Sequence, residues 1–252
     1  MIAIELQRFL AALMFFSRIP CPATWQGSPD RALRHAGRYF PLVGWLVGAI
    51  SAGVIWLSLR VFPTPVAVLL GMGTAMLLTG AMHEDAFADS CDGFGGGWTR
   101  EQTLHIMQDS RIGAYGAVGL MMLLALKFTA LISLHPDRLL LAWVAGHAIS
   151  RLIAISFLRT HTYARLEGTG KSHAVAQRIS LSDLAVAAVF GLLPLVLLPA
   201  RQALPALTTL MVIRLLAGRY LTRRLGGYTG DCLGAVQQLC EVLFYLTVLA
   251  LP

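Results

Sequence analysis

Charge is what this sequence has least of. Only 13% of its 252 residues are Asp, Glu, Lys or Arg, about half the share found in soluble domains. Hydrophobic residues make up 56%. This composition excludes an ordinary water-soluble globule and implies a membrane protein. Cysteine is scarce too. Cys21, Cys91, Cys232 and Cys240 show neither zinc-type spacing nor nearby paired histidines, so they read as reduced thiols or small packing residues. The formal charge is +7, but there is no dense basic run interleaved with aromatics, so no nucleic-acid partner is expected. Low-complexity tracts and strong internal repeats are missing. A basic n-region and an A-x-A-like cleavage site are missing as well, so no signal peptide is expected.

What is present is a series of apolar runs. Residues 2–17 form an apolar helix carrying Glu5 and Arg8 at a spacing that permits an ion pair, too short to decide between spanning and lying at the interface. Further runs are expected at 39–59, 66–92, 112–134, 139–158, 184–199, 204–220 and 232–251. Six of these seven runs are counted as spans, which with the N-terminal helix make one all-α polytopic membrane bundle forming a single domain over 1–252. Gly44, Gly48 and Ala52 repeat at four-residue spacing and predict close helix packing. The run from Val66 to Asp92 shows no breaker and would measure about 40 Å as one helix, so its last turns should leave the hydrocarbon. Between 94 and 111 a short amphipathic helix is expected.

Loop charge sets the orientation. The long connections carry Arg18, Arg31, Arg34, Arg38, Arg100, Arg111, Arg159, Arg165, Lys171, Arg178, Arg219, Arg223 and Arg224, against Arg60, Arg138 and Arg201 on the short ones. Positive loops mark the cytoplasmic face.

Acid is concentrated where it is costly. Glu84, Asp85, Asp89 and Asp92 fall within nine positions beside an apolar run. On a helix of 3.6 residues per turn, Asp85, Asp89 and Asp92 share one face within about 60°. Three adjacent carboxylates repel, and a hard divalent cation removes the repulsion. Mg²⁺ is content with a few carboxylates, waters and substrate phosphates. The alternative is a solvated helix end whose acids pair with arginines. Glu84 lies off this face. His83 also points elsewhere, so a base role for it is not favoured.

Other residues suggest supporting roles. Gly93 and Gly95 follow the acids and would let backbone N–H groups approach a phosphate, or simply form a turn. Asp109 could complete the metal site and Arg111 pair with a phosphate; either Asp109 or Ser110 could instead cap a helix. Gly113, Gly116 and Gly119 suit close helix packing. Arg151, inside a span one turn after His147, needs an anionic partner: a substrate phosphate or the aspartates, unless it snorkels. Lys127, Arg214 and Glu241 raise the same question. The loop 163–171, ending in Lys171, could cover a substrate. Gly230 and Asp231 close a second glycine-rich turn, with Asp231 a helix cap or a further metal or base residue.

Four segments taken together resemble the cobalamin synthase family, the adenosylcobinamide-GDP ribazoletransferases: H-E-D-A-F-A-D-S-C-D-G at 83–93, M-Q-D-S-R-I-G-A-Y-G at 107–116, Y-A-R-L-E-G-T-G at 163–170 and G-G-Y-T-G-D-C-L-G-A at 226–235. S-R-I-P at 17–20 and F-P-L-V-G at 40–44 are similar to that family too. Glu84, Ala86 and Gln108 depart from its usual pattern. The resemblance implies an Mg²⁺-dependent enzyme at the cytoplasmic face of a bacterial inner membrane, acting on adenosylcobinamide-GDP and α-ribazole or its 5′-phosphate. The α-ribazole 5′-hydroxyl would attack the phosphorus bonded to cobinamide, and GMP would leave. Metal would fall to Asp85, Asp89, Asp92 and Asp109. Catalysis would fall to Asp92, Asp231 and Arg151. Substrate contacts would fall to Gly93, Gly95, Arg111, Lys171 and Gly230. A homo-oligomer is left open.

Two rival readings are weighed. A CDP-alcohol phosphatidyltransferase also places aspartates at a membrane face, but here Gly96-Gly97 stands where its motif needs Ala-Arg. A transporter expects broken helices meeting near the bilayer midplane, whereas these acids gather at one face.

Overall fold

The computed structural model describes residues 2–21, 35–164 and 178–251. Among these, regular structure is helical throughout. The helices are α1 (Ile2–Phe16), α2 (Phe40–Ser58), α3 (Thr64–Thr79), α4 (Met82–Gly96), α5 (Arg100–Ile106), α6 (Ala114–Ile132), α7 (Pro136–Thr160), α8 (Leu181–Leu192), α9 (Ala200–Leu225) and α10 (Gly230–Ala250). Proline occupies the first turn of α2, α3 and α7, where its missing N–H costs nothing. The short helix α5 starts at a capping box of Thr99 and Gln102, which satisfies two otherwise orphaned N–H groups.

Five helices are long and apolar enough to cross a membrane: Gly37–Ser58, which adds a 3₁₀ turn to α2, and α6, α7, α9 and α10. The bent pair α3–α4 brings the number to six. This is the expected polytopic bundle. Two details differ. The run 184–199 is not one span: α8 gives way at Leu193 to a 3₁₀ turn containing Pro194. The run from Val66 to Asp92 is not one over-long helix either. It breaks at Gly80 and Ala81, both with positive φ (67° and 56°), and α4 leaves α3 at 87°. Ala81 N–H donates to the Met76 carbonyl at 2.8 Å, the six-residue closure of a Schellman C-cap. The packed guanidinium of Arg18 lies where a Gly80 side chain would go, and Arg18 N–H donates to the Leu78 carbonyl at 2.7 Å. The acids thus sit on a helix of their own, turned across the end of α3.

α7 is the central post. Of its most apolar stretch 78% is buried, against 22% for α9, so α9 is peripheral and shows Met211, Leu215 and Leu216 outward. α7 packs on α2, α8 and α10, and α10 packs in turn on α4. The glycine spacing in α2 does what it predicts: a Cβ at Gly44 would strike the His147 carbonyl, and one at Gly48 would come within 3.2 Å of Val144 Cα. The Glu5–Arg8 pair forms at 2.6 Å. Glu5 also accepts from Arg38 at 3.0 Å and from Tyr39 at 2.7 Å, and Arg38 bridges on to Asp183. One arginine therefore ties α1 to α8 across the start of α2.

Candidate active site

A cavity of about 230 Å³ opens where the C-terminal end of α1 meets the starts of α2, α4 and α10 and the end of α7. Its wall brings together motifs far apart in sequence. His83, Asp85 and Ala86 come from α4, Gly230 and Asp231 from α10, Tyr163 from the loop after α7 and Tyr228 from the loop before α10. The two loops are pinned by backbone bonds. Ala164 N–H donates to the Tyr228 carbonyl at 2.8 Å, and Tyr228 N–H donates to the Thr162 carbonyl at 2.9 Å. The lining is also aromatic: Phe16 and Phe40 stack at 3.9 Å, and Phe40 stacks on the His83 ring at 5.7 Å. Burial pushes the Tyr228 phenol above its usual range, so it stays neutral.

Asp231 is placed by its neighbour. Thr229 is the N-cap of α10, its hydroxyl accepting from Cys232 N–H at 3.2 Å. The cap expected as one option at Asp231 is therefore taken, and Asp231 stands in the first turn of α10, half-buried at the cavity. A Cβ at Gly230 would meet open space. The N-terminal turn of α10 thus faces the cavity, and such a turn favours anions through its dipole and N–H groups.

The three aspartates of α4 divide. Asp85 is exposed at the cavity, and Asp89 follows one turn on, half-buried. Asp92 does something different from what its spacing suggests. Its carboxylate accepts from Gly113 N–H at 2.7 Å and from Gly116 N–H at 2.8 Å, capping α6 from another helix. Gly113 and Gly116 are the residues that let the carboxylate in, since a Cβ on either would collide with it. In this structure Asp92 therefore serves as the acceptor for the start of α6. We expect Asp92→Ala to cost about 2 kcal/mol of stability by leaving buried N–H groups without an acceptor. Thermal unfolding in detergent measures it, and Asp92→Asn should recover part of the loss.

Several other expectations are relocated. Gly93 and Gly95 belong to α4 itself, with Met107 and Tyr115 packed where their side chains would be, so they admit α5 and α6 rather than form a phosphate loop. Asp109 and Arg111 pair with each other at 2.6 Å on an exposed turn, away from the cavity wall. The hydrogen bonds from Arg111 hold the Asp109 carboxyl down to about 2, so it stays ionised at any physiological pH. Lys171 lies outside the described residues. Gly119 packs on Cys91 as its spacing suggests.

Arg151 lies behind the cavity wall, not in it. It is 1% exposed, donates to the His147 carbonyl at 2.8 Å, and sits over the Phe40 ring at 5.5 Å. Its anionic neighbour in this structure is Glu241, at 3.8 Å, rather than an α4 aspartate. Glu241 also holds Lys127 at 2.5 Å and accepts from Gln237 at 2.6 Å. Glu84 faces α10, accepting from Gln238 at 2.9 Å. Lys127, Arg151 and Glu241 thus satisfy one another, whereas Arg214 donates to Ser156 Oγ at 2.6 Å and to Thr160 Oγ1 at 2.7 Å.

The cavity tests the fit of a divalent metal. Among the described residues no three His, Cys, Asp or Glu side chains converge on a metal position. A closed protein cage is therefore not the arrangement. Carboxylates from α4 at the rim of a cavity suit Mg²⁺, which commonly takes one or two and completes its shell with waters and substrate phosphates.

Sequence reasoning missed the aromatic wall of Phe16, Phe40, Tyr163 and Tyr228. Its one signal was that S-R-I-P, F-P-L-V-G and the two tyrosine-bearing segments accompany the acids. Comparison with known proteins meets the same segments. No solved structure matches. The chain is 49% identical over 247 residues to the adenosylcobinamide-GDP ribazoletransferase of Ralstonia pickettii strain 12J, covering 97% of this chain and 95% of that one. It is 50% identical over 243 residues to that of Ralstonia nicotianae (95% and 93% covered) and 44% over 249 residues to that of Shewanella frigidimarina (98% and 95%). A sequence model described as cobalamin-5-phosphate synthase matches residues 8–249, which takes in every helix that builds the cavity, and the chain belongs to that family.

Proposed function

We propose that this cavity is the transfer site of an adenosylcobinamide-GDP ribazoletransferase, an enzyme of late cobalamin biosynthesis. The observation that carries the reading is convergence. Asp85 of the first motif, Tyr163 of the third, and Tyr228, Gly230 and Asp231 of the fourth meet in one wall. The acceptor is α-ribazole or its 5′-phosphate, and the donor is adenosylcobinamide-GDP. A ribose oxygen forms a bond to the phosphorus attached to cobinamide. The bond from that phosphorus to the bridging oxygen breaks, and GMP departs with the electron pair. The family's description revises one point of regiochemistry. A cobalamin 5-phosphate keeps the ribose 5′-oxygen occupied, so an α-ribazole 5′-phosphate acceptor must attack through a secondary hydroxyl rather than the 5′-hydroxyl.

This chain supplies three things. Asp231 accepts the hydrogen bond of the attacking hydroxyl and takes its proton. The N-terminal turn of α10 from Gly230 places backbone N–H groups toward the developing phosphate charge. Asp85 and Asp89 would hold Mg²⁺, which when bound neutralises the diphosphate. The excess of positive residues on the long loops assigns this end of the bundle to the cytoplasmic face of the inner membrane.

Purified protein with adenosylcobinamide-GDP, α-ribazole and Mg²⁺ should yield GMP and adenosylcobalamin, and EDTA should stop turnover. Activity on CDP-alcohols, or solute flux in proteoliposomes without GMP, would point to the rival readings instead.

A further inference from the structure

We infer that the aromatic part of the cavity receives the heterocyclic base of the acceptor nucleoside, with its sugar turned toward Asp231; the inference rests on the transfer reading above. Size separates the two substrates first. The cavity measures about 230 Å³, below the roughly 300–1,000 Å³ of pockets that enclose drug-sized ligands. A corrinoid nucleotide is far too large to enter it, whereas a fused bicyclic base with part of its sugar is of the right order.

Chemistry separates them again. The lining combines Phe16, Phe40, Tyr163 and Tyr228 and aliphatic side chains of α7 with the carboxylates of Asp85 and Asp231. Flat faces set at different angles, Phe16 on Phe40 stacked and Tyr163 against Tyr228 edge-on at 5.7 Å, offer stacking and edge contacts to one planar ring. The carboxylates of Asp85 and Asp231 are acceptors for ribose hydroxyls. They would repel the diphosphate of the donor, which must approach from outside with its charge neutralised. An acyl chain would fill the apolar part equally well but has no donor for the carboxylates.

Two variants and one binding measurement test this. Tyr163→Ala removes a stacking face, and Ala154→Phe fills the cavity from α7. Each should raise the KM for α-ribazole by roughly 5- to 100-fold, the range expected for losing one base-stacking contact, while the KM for adenosylcobinamide-GDP stays within about twofold. Titration of wild-type protein with α-ribazole alone, followed by tryptophan fluorescence or calorimetry, should show saturable binding that Tyr163→Ala weakens by the same factor. A rise in the donor KM instead, or unchanged acceptor KM and binding in Tyr163→Ala, overturns the inference. Displacement of α-ribazole by added phospholipid would assign the cavity to an acyl chain and overturn it too. Absence of GMP release from wild-type protein that still binds α-ribazole would sink the transfer reading and leave the base site standing.

Discussion

Alanine at Asp231 should lower kcat by roughly 10²–10⁴-fold, the usual worth of a positioned general base, and leave the protein folded in the membrane. Asp231 is half-buried in the first turn of α10, and the cap of that helix is Thr229 rather than Asp231. Asp85→Ala should differ in kind. If Asp85 holds the metal, the variant should need a higher Mg²⁺ concentration for half-maximal GMP release, whereas Asp231→Ala should not. The pair of Mg²⁺ titrations separates the two roles. An Asp231→Ala enzyme within about threefold of wild type would remove Asp231 from the chemistry and leave the base unassigned.

The second large effect is on stability. Glu241→Leu should cost about 3–5 kcal/mol, because it strands Lys127 and Arg151 as buried charges without a counter-ion. Lys127 is 3% exposed and Glu241 fully buried. The double variant Lys127→Met with Glu241→Leu should recover the part of that loss due to Lys127, since replacing both partners of a buried pair with apolar groups is often close to neutral, while Arg151 still lacks its counter-ion. Thermal unfolding in detergent of the wild type, both single variants and the double variant gives the coupling directly. Additive single effects would show that Lys127 and Glu241 are not a unit.

The spans were legible because apolar runs in a membrane chain leave few alternatives. Phe40–Ser58, Pro136–Thr160 and Gly230–Ala250 fall within a few residues of where hydropathy puts them. The bend at Gly80–Ala81 was not legible. A single glycine inside an apolar run is tolerated in most helices, and what fixes it here is Arg18, brought over the turn by a distant segment. Asp92 shows a second limit. Helical spacing says which side chains share a face, not which of them another helix has claimed. Nothing local marks Gly113 and Gly116 as the partners of that carboxylate. Arg151 is a third case, since periodicity turned it inward correctly but could not say that Phe40 stands between it and the cavity. The aromatic wall was hidden for the opposite reason: no single stretch of chain contains it.

The Lys127–Glu241 pair has a consequence for how the protein is made. Lys127 belongs to α6, and its counter-ion comes on α10, the last helix of the bundle. Through most of synthesis the bilayer therefore holds a lysine with nothing to neutralise it. An ammonium near the bilayer centre costs about 2.5–3.5 kcal/mol on insertion scales. The helix that brings Asp231 to the cavity is also the one that carries Glu241, so a chain cut short before it would lose the proposed base and the counter-ion of Lys127 in a single event.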